Sequence, residues 1–284
     1  MAHDTAPIRE DERFDEGRVT AYLRDHVPEL VGESDIVFDQ FPGGAANLTY
    51  RASAGGVELV LRRAPHGPVA KGGHDMEREH RVLSRLWQAY PKAPRSYHFC
   101  ADPDVMGKPF FIMERRRGWV VRAEWPEAYR ENDALRRKLA GSLVDSLAEL
   151  HLVDAAAVDL GDFGRPEGFV QRQVEGWARR WEAARTRDVP DMETTLGALA
   201  GNAPDPGPTT ILHNDYKLDN TMVNDDGDVV AVNSSSGLCC PDAVLKALGD
   251  RFDLEGHPKG LTTIHPIAAG DFFGVKGVDH IAKP

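Results

Sequence analysis

The chain has 284 residues, 41% of them hydrophobic and 28% charged, with a formal net charge of −11. That length suits one large domain or two lobes around a sizeable core. The acidic balance argues against a nucleic-acid partner, the lack of any run of about 18 apolar residues argues against a membrane span, and three cysteines cannot frame a disulfide network.

Residues 1–17 are acidic and polar and read as a flexible leader with no secretory character, which makes the cytoplasm the expected location. Val19, Tyr22, Leu23 and Val27 then recur at helical spacing. Residues 36–51 read as strand, glycine turn and strand, with Gly43-Gly44 at the turn. A second turn at Gly55-Gly56 leads into a strand over 57–62. Breakers fill 64–68. Met76, Leu83, Leu86, Trp87 and Tyr90 mark one face of a helix over 76–90. Residues 94–104 read as irregular, and 109–115 as a buried strand with a polar end. A long helix covers 133–153, striped by Leu135, Leu139, Leu143, Leu147 and Leu150. Phe169, Val170, Val174, Trp177 and Trp181 form the packing face of another helix over 169–185, and a Pro/Gly-rich loop spans 202–208.

Residues 211–232, ILHNDYKLDNTMVNDDGDVVAV, concentrate the chemistry. Thr221-Met222-Val223 and Val229-Val230-Ala231-Val232 flank an Asp-Gly turn, a strong hairpin signal. Asp225, Asp226 and Asp228 belong to that turn; they echo a calcium loop but lack its terminal Glu. Before the hairpin stand His213, Asp215 and Asn220, in the spacing His-x-Asp-x4-Asn of a kinase catalytic loop.

The stretch resembles the catalytic loop of the aminoglycoside phosphotransferase family, and most of all the HxDY(R/K)LDN version in kinase-like domains related to those fused to acyl-CoA dehydrogenases. The resemblance runs from about Phe38 to Val232 and implies an α+β, two-lobed protein-kinase-like fold. Residues 18–117 would form the small nucleotide-binding lobe and 118–232 the large catalytic lobe. It implies transfer of the γ-phosphoryl of ATP, with Mg2+, to a hydroxyl of a small molecule, and no nucleic-acid or membrane partner. Asp215 would be the catalytic base and Asn220 the metal ligand. Arg62 would anchor phosphates, with Arg63 as its alternative, and Glu79 would pair with it, with Glu77 as the competitor. Gly43 and Gly44 would cover the phosphates, Met113 and Glu114 would stand at the adenine hinge, and Lys217 would neutralise transferred charge. Arg115-Arg116-Arg117 reads as a solvated hinge edge.

After Val232 the resemblance stops. Relatives place a metal-binding Asp two residues on, where this chain has Ser234, and a hydroxyl brings no negative charge to a magnesium ion. Asp271-Phe272-Phe273-Gly274 imitates a metal-binding signature but lies too far from Asn220. The expected large lobe is therefore truncated or replaced over 233–284, and a pseudokinase that binds nucleotide without turnover is the alternative function.

Overall fold

The computed structural model describes residues 4–42, 47–65, 75–202, 209–232 and 237–239. The expectations for Gly43, Gly44, Ser234 and the tail beyond 239 lie outside them. The chain forms α1 (Glu16–His26), α2 (Pro28–Val31), β1 (Ile36–Gln40), β2 (Leu48–Ala54), β3 (Val57–Arg63), α3 (Met76–Leu86), β4 (Ser96–Cys100), α4 (Pro103–Met106) and β5 (Phe110–Glu114). The five strands make one antiparallel sheet in the order β1-β2-β3-β5-β4. Helices then dominate: α5 (Glu127–Arg130), α6 (Asp133–His151), α7 (Phe169–Ala184) and α8 (Pro190–Gly201). Four short strands follow, β6 (Thr210–Leu212), β7 (Thr221–Val223), β8 (Val229–Val232) and β9 (Gly237–Cys239). β6 pairs with β9, and β7 with β8. The architecture is α+β, as the sequence leads one to expect. No helix among the described residues is long and apolar enough to cross a membrane.

The sheet is covered on both faces, and this sorts its side chains. Successive residues of a strand point to opposite sides. In β3, Leu59 and Leu61 join the core made with α1, α2 and α4, while Val60 joins the core shared with α3 and α6. β5 is split in the same way, Phe110 and Ile112 against Phe111 and Met113. Burial on both faces explains its unbroken apolar run. Each fully buried side chain of this kind contributes about 1.5–3 kcal/mol.

In α6, Leu139, Leu143 and Leu150 are buried along the expected stripe, but Ser146 rather than Leu147 reaches the centre. Its hydroxyl lies 2.6 Å from that of buried Tyr90, so each satisfies the other. The Asn132 side chain accepts from the Leu135 N–H and caps the helix, leaving Asp133 as its first-turn acid.

Three expectations are corrected, and one helix is new. Residues 4–15, expected within a flexible leader, are strapped to the sheet: Ala6 and Gln40 exchange two backbone hydrogen bonds of 2.8 Å, and Ile8 and Phe14 pack on the first core. Residues 94–104 contain β4 and α4. The β4 signal is hidden because its three central residues are half-buried on both faces instead of alternating. α8 was not anticipated, although Pro190 in its first turn is a known start signal. α7 packs against α8, yet none of its residues is fully buried, and Trp177 of the expected packing face is 61% exposed.

One consequence for stability concerns pH. His80 Nδ1 lies 2.9 Å from Ser96 Oγ, and burial holds its pKa below the ordinary 6.5. Burial, with help from His26, lowers His98 as well. Unfolding lets both rings protonate near their ordinary pKa, so the stability carried by the neutral rings is present above that pH and drains as the pH falls through it. The melting temperature is expected to fall between about pH 7.5 and pH 5.5, and His80→Asn to flatten the profile; equal slopes in both proteins would remove His80 as the cause.

Candidate active site

The polar cluster is built on buried supports. His213 is buried, meets the Tyr216 ring edge-on at 5.5 Å, and accepts from the Asp215 N–H at Nδ1, 3.3 Å away. Tyr216 donates its hydroxyl to the Leu143 carbonyl of α6 at 2.9 Å. Between them Asn214 has φ 66°, a left-handed conformation that asparagine tolerates better than most residues. The loop is thus pinned to α6 on one side and enters the hairpin β7–β8 on the other.

Asp215 and Asn220 meet directly. Asn220 Nδ2 donates to both the carbonyl and the Oδ2 carboxylate oxygen of Asp215, at 2.8 Å each. Lys217 Nζ lies 3.4 Å from the other carboxylate oxygen. The Asp215 side chain is 57% exposed, so the carboxylate is oriented but open to solvent. Asn220 is committed through its nitrogen, so its Oδ1, the atom able to ligate a cation, is not used in these bonds. Two of the three turn acids are occupied: Asp225 accepts from Trp119 Nε1 at 2.7 Å, and the Lys138 ammonium, 2.8 Å away, holds the Asp228 carboxyl below its ordinary range. Among the described residues no cluster of three or more His, Cys, Asp or Glu side chains could hold a metal.

The neighbouring arginines Arg62 and Arg63 point opposite ways. Arg62 shares the Val60 face and lies 3.3 Å from Glu79 of α3, whereas Glu77 is exposed. Arg63 is 1% exposed and donates to the Met106 carbonyl, and at 2.8 Å each to the Glu12 carbonyl and the Tyr50 hydroxyl. It is therefore a structural tie between leader, sheet and α4, which removes it as the alternative to Arg62.

A cavity of about 400 Å3 opens between the sheet and the hairpin. Val60, Met113 and Glu114 line it from β3 and β5, Met222 and Ala231 from β7 and β8, and Arg116, Gly118 and Trp119 from the connection. Trp119 and Val223 exchange two backbone bonds of 2.8 and 2.9 Å, fixing that connection to the hairpin. Gly118 makes the approach feasible: a Cβ there would meet the Val223 carbonyl at 2.9 Å and Val230 Cγ2 at 3.0 Å. Gly118→Ala is expected to widen this seam and lower the melting temperature; a melting temperature equal to the parent's would show that the seam yields to a Cβ without cost. The solvated-edge reading of the three arginines holds for Arg117, 58% exposed, but not for Arg115, 6% exposed. Arg115 pairs with Glu58 and with Asp4, the latter at 2.8 Å, bringing the leader to the cavity mouth.

The model of the phosphotransferase enzyme family, APH, matches residues 37–232, well over half of the chain. The chain belongs to that family. It is 31% identical over 222 residues to acyl-CoA dehydrogenase family member 11 of Gallus gallus, a match that covers 77% of this chain and 28% of the relative. The chain thus spans under a third of that curated relative. A solved protein of Ralstonia eutropha JMP134, assigned provisionally to the aminoglycoside phosphotransferases, aligns with a TM-score of 0.67 at 30% identity over 81% of this chain and 67% of its own. The ADP-bound aminoglycoside phosphotransferase APH(2'')-Ib shares the fold alone, with a TM-score of 0.50 at 14% identity over 82% of this chain and 76% of its own. The fold is kinase-like. Sequence reasoning missed the Trp119–Val223 clasp, which is made by backbone atoms and leaves no side-chain pattern, and the leader at the cavity mouth, held by an ion pair between Asp4 and Arg115 that lie far apart in the chain.

Proposed function

We propose that the chain is an ATP-dependent phosphotransferase acting on a hydroxyl of a small molecule. The observation that carries this reading is the Asp215–Asn220 pair, held in a loop that leads into β7, whose Met222 walls a cavity together with Val60 and Met113. The adenine would lie among those apolar walls, with the backbone of the 113–118 connection hydrogen-bonding its edge and Met113 and Glu114 at that edge. Arg62, steadied by Glu79, would reach the phosphates, and Gly43 and Gly44 would cover them. Asp215 would take the proton of the acceptor hydroxyl as its oxygen attacks the γ-phosphorus. The bond from that phosphorus to the bridging oxygen breaks, ADP leaves with the electron pair, and the proton stays on the carboxylate until solvent removes it. Lys217 would balance charge at the transferring group. The carbonyl of Asn220 fits a hard cation that prefers oxygen ligands, and a magnesium ion held there would supply charge neutralisation on the phosphates.

The test is ADP release and phosphate incorporation with ATP, Mg2+ and a panel of hydroxyl compounds. Turnover that requires Mg2+ and Asp215 supports the reading; absence of both turnover and an ATP-induced melting shift defeats it. The second reading, a pseudokinase, is favoured by Ser234 in the position that relatives give to a carboxylate. It expects an ATP-induced shift without turnover, and turnover gained by Ser234→Asp.

A further inference from the structure

A second cavity, of about 650 Å3, borders the catalytic loop at Asn214, one residue from Asp215. Its lining is basic and aromatic. Arg78, Arg165 and Arg172 contribute three positive charges, and Phe163 and Trp177 contribute apolar walls. The one acid in the lining, Asp162, is already paired with Arg81. The Arg78 guanidinium stacks over Phe163 at 4.2 Å, which holds it in place without spending its charge on a carboxylate. Arg172 donates to the carbonyls of Arg165 and Glu167 and so folds that loop over the start of α7. The Arg165 side chain is exposed and has no partner among the described residues. The start of α7 adds to the same field: its N-cap, Gly168, offers no side chain, and the first turn of this 16-residue helix carries no acid, so Glu167 before the cap is the one nearby carboxylate on that segment.

From this setting we propose that the acceptor is an alcohol carrying an anionic group, carboxylate or phosphate, which this cavity binds while the hydroxyl is presented to Asp215. The proposal rests on the phosphotransferase reading above and specifies its substrate class. It runs against the chain's overall charge of −11, which taken alone suits a cationic acceptor. Local charge decides, because screening confines these interactions to about 8–10 Å. A polycationic aminoglycoside would meet three like charges here, and an anion meets the same three charges, two of them, Arg78 and Arg165, with guanidiniums able to form forked, charge-assisted hydrogen bonds.

The test uses the full chain with ADP present and calorimetric titration of matched probes: 6-hydroxyhexanoate against its methyl ester, glycerol 3-phosphate against glycerol, and kanamycin. At least one anion is expected to bind about tenfold or more tightly than its neutral partner, the worth of one charge-assisted hydrogen bond. Which pair shows the preference tells carboxylate from phosphate. Arg165→Glu, at an exposed site whose loss cannot unfold the chain through a broken contact, is expected to abolish the preference while ATP binding stays as in the parent. Equal binding within both pairs, binding of kanamycin in place of the anions, no anion binding, or a preference untouched by Arg165→Glu would overturn the proposal. Failure of the parent to bind ATP would instead count against the phosphotransferase reading, and the anion preference is measured independently of turnover.

Discussion

Asp215→Asn is expected to lower the phosphotransfer kcat by about 100- to 10,000-fold, the usual worth of a positioned general base, with ATP affinity and melting temperature unchanged. The amide matches the carboxylate in shape, and its oxygen can still accept from Asn220 Nδ2, 2.8 Å away, so the loop keeps its form. What it loses is the capacity to take a proton. The ion pair to Lys217 contributes little to folding because both side chains are more than half exposed, where such pairs are worth about 0–1 kcal/mol. Parallel kinetics and calorimetry on the two proteins check this. A kcat that survives the substitution would move the base elsewhere, and a lost kcat accompanied by lost ATP binding would make Asp215 a structural support of the cavity.

The second large effect separates two adjacent arginines. Arg63→Met is expected to cost about 3–5 kcal/mol of stability, the range for removing one member of a buried charged network, and to lower the melting temperature by on the order of 10 °C. Its guanidinium serves the Glu12 and Met106 carbonyls and the Tyr50 hydroxyl, and methionine takes that donor from the Met106 carbonyl and leaves the Tyr50 hydroxyl and the Glu12 carbonyl with only their bond to each other. Arg62→Lys, one position earlier, is expected to fold like the parent and keep nucleotide affinity, because an ammonium can still reach Glu79 and phosphate as a point charge. Chemical denaturation of both variants checks the contrast; comparable losses of stability would mean that Arg62 is as structural as its neighbour.

That contrast also shows how far the sequence could be read. Alternation along β3 puts Arg62 with Val60 and is enough to select it as the cleft-facing residue, whereas the choice between Glu79 and Glu77 stayed open in the sequence and falls to Glu79 in the fold. The Asp-Gly turn and the spacing of Asp215 and Asn220 were equally legible, because each follows from short-range chemistry. The tie made by Arg63 was not, since its partners are two backbone carbonyls and a hydroxyl drawn from three distant segments. The leader was misread for the same reason: Ala6 and Glu12 act through main-chain atoms, and their acidic surroundings resemble a solvated tail. Arg115 looked like one of three exposed charges, but its partners Glu58 and Asp4 lie far off in the chain. In α7 the apolar spacing drew attention to packing, and Arg172, interleaved with it and lining the cavity at Asn214, passed unnoticed.

The most direct measurement is a crystal structure of the chain with a non-hydrolysable ATP analogue and Mg2+. The adenine is expected between Val60 and Met222 against the 113–118 connection, with the triphosphate running past Arg62 toward the Asp215 carboxylate and the Asn220 carbonyl. A nucleotide bound outside that cavity, or one whose terminal phosphate points away from Asp215, would contradict the catalytic assignment.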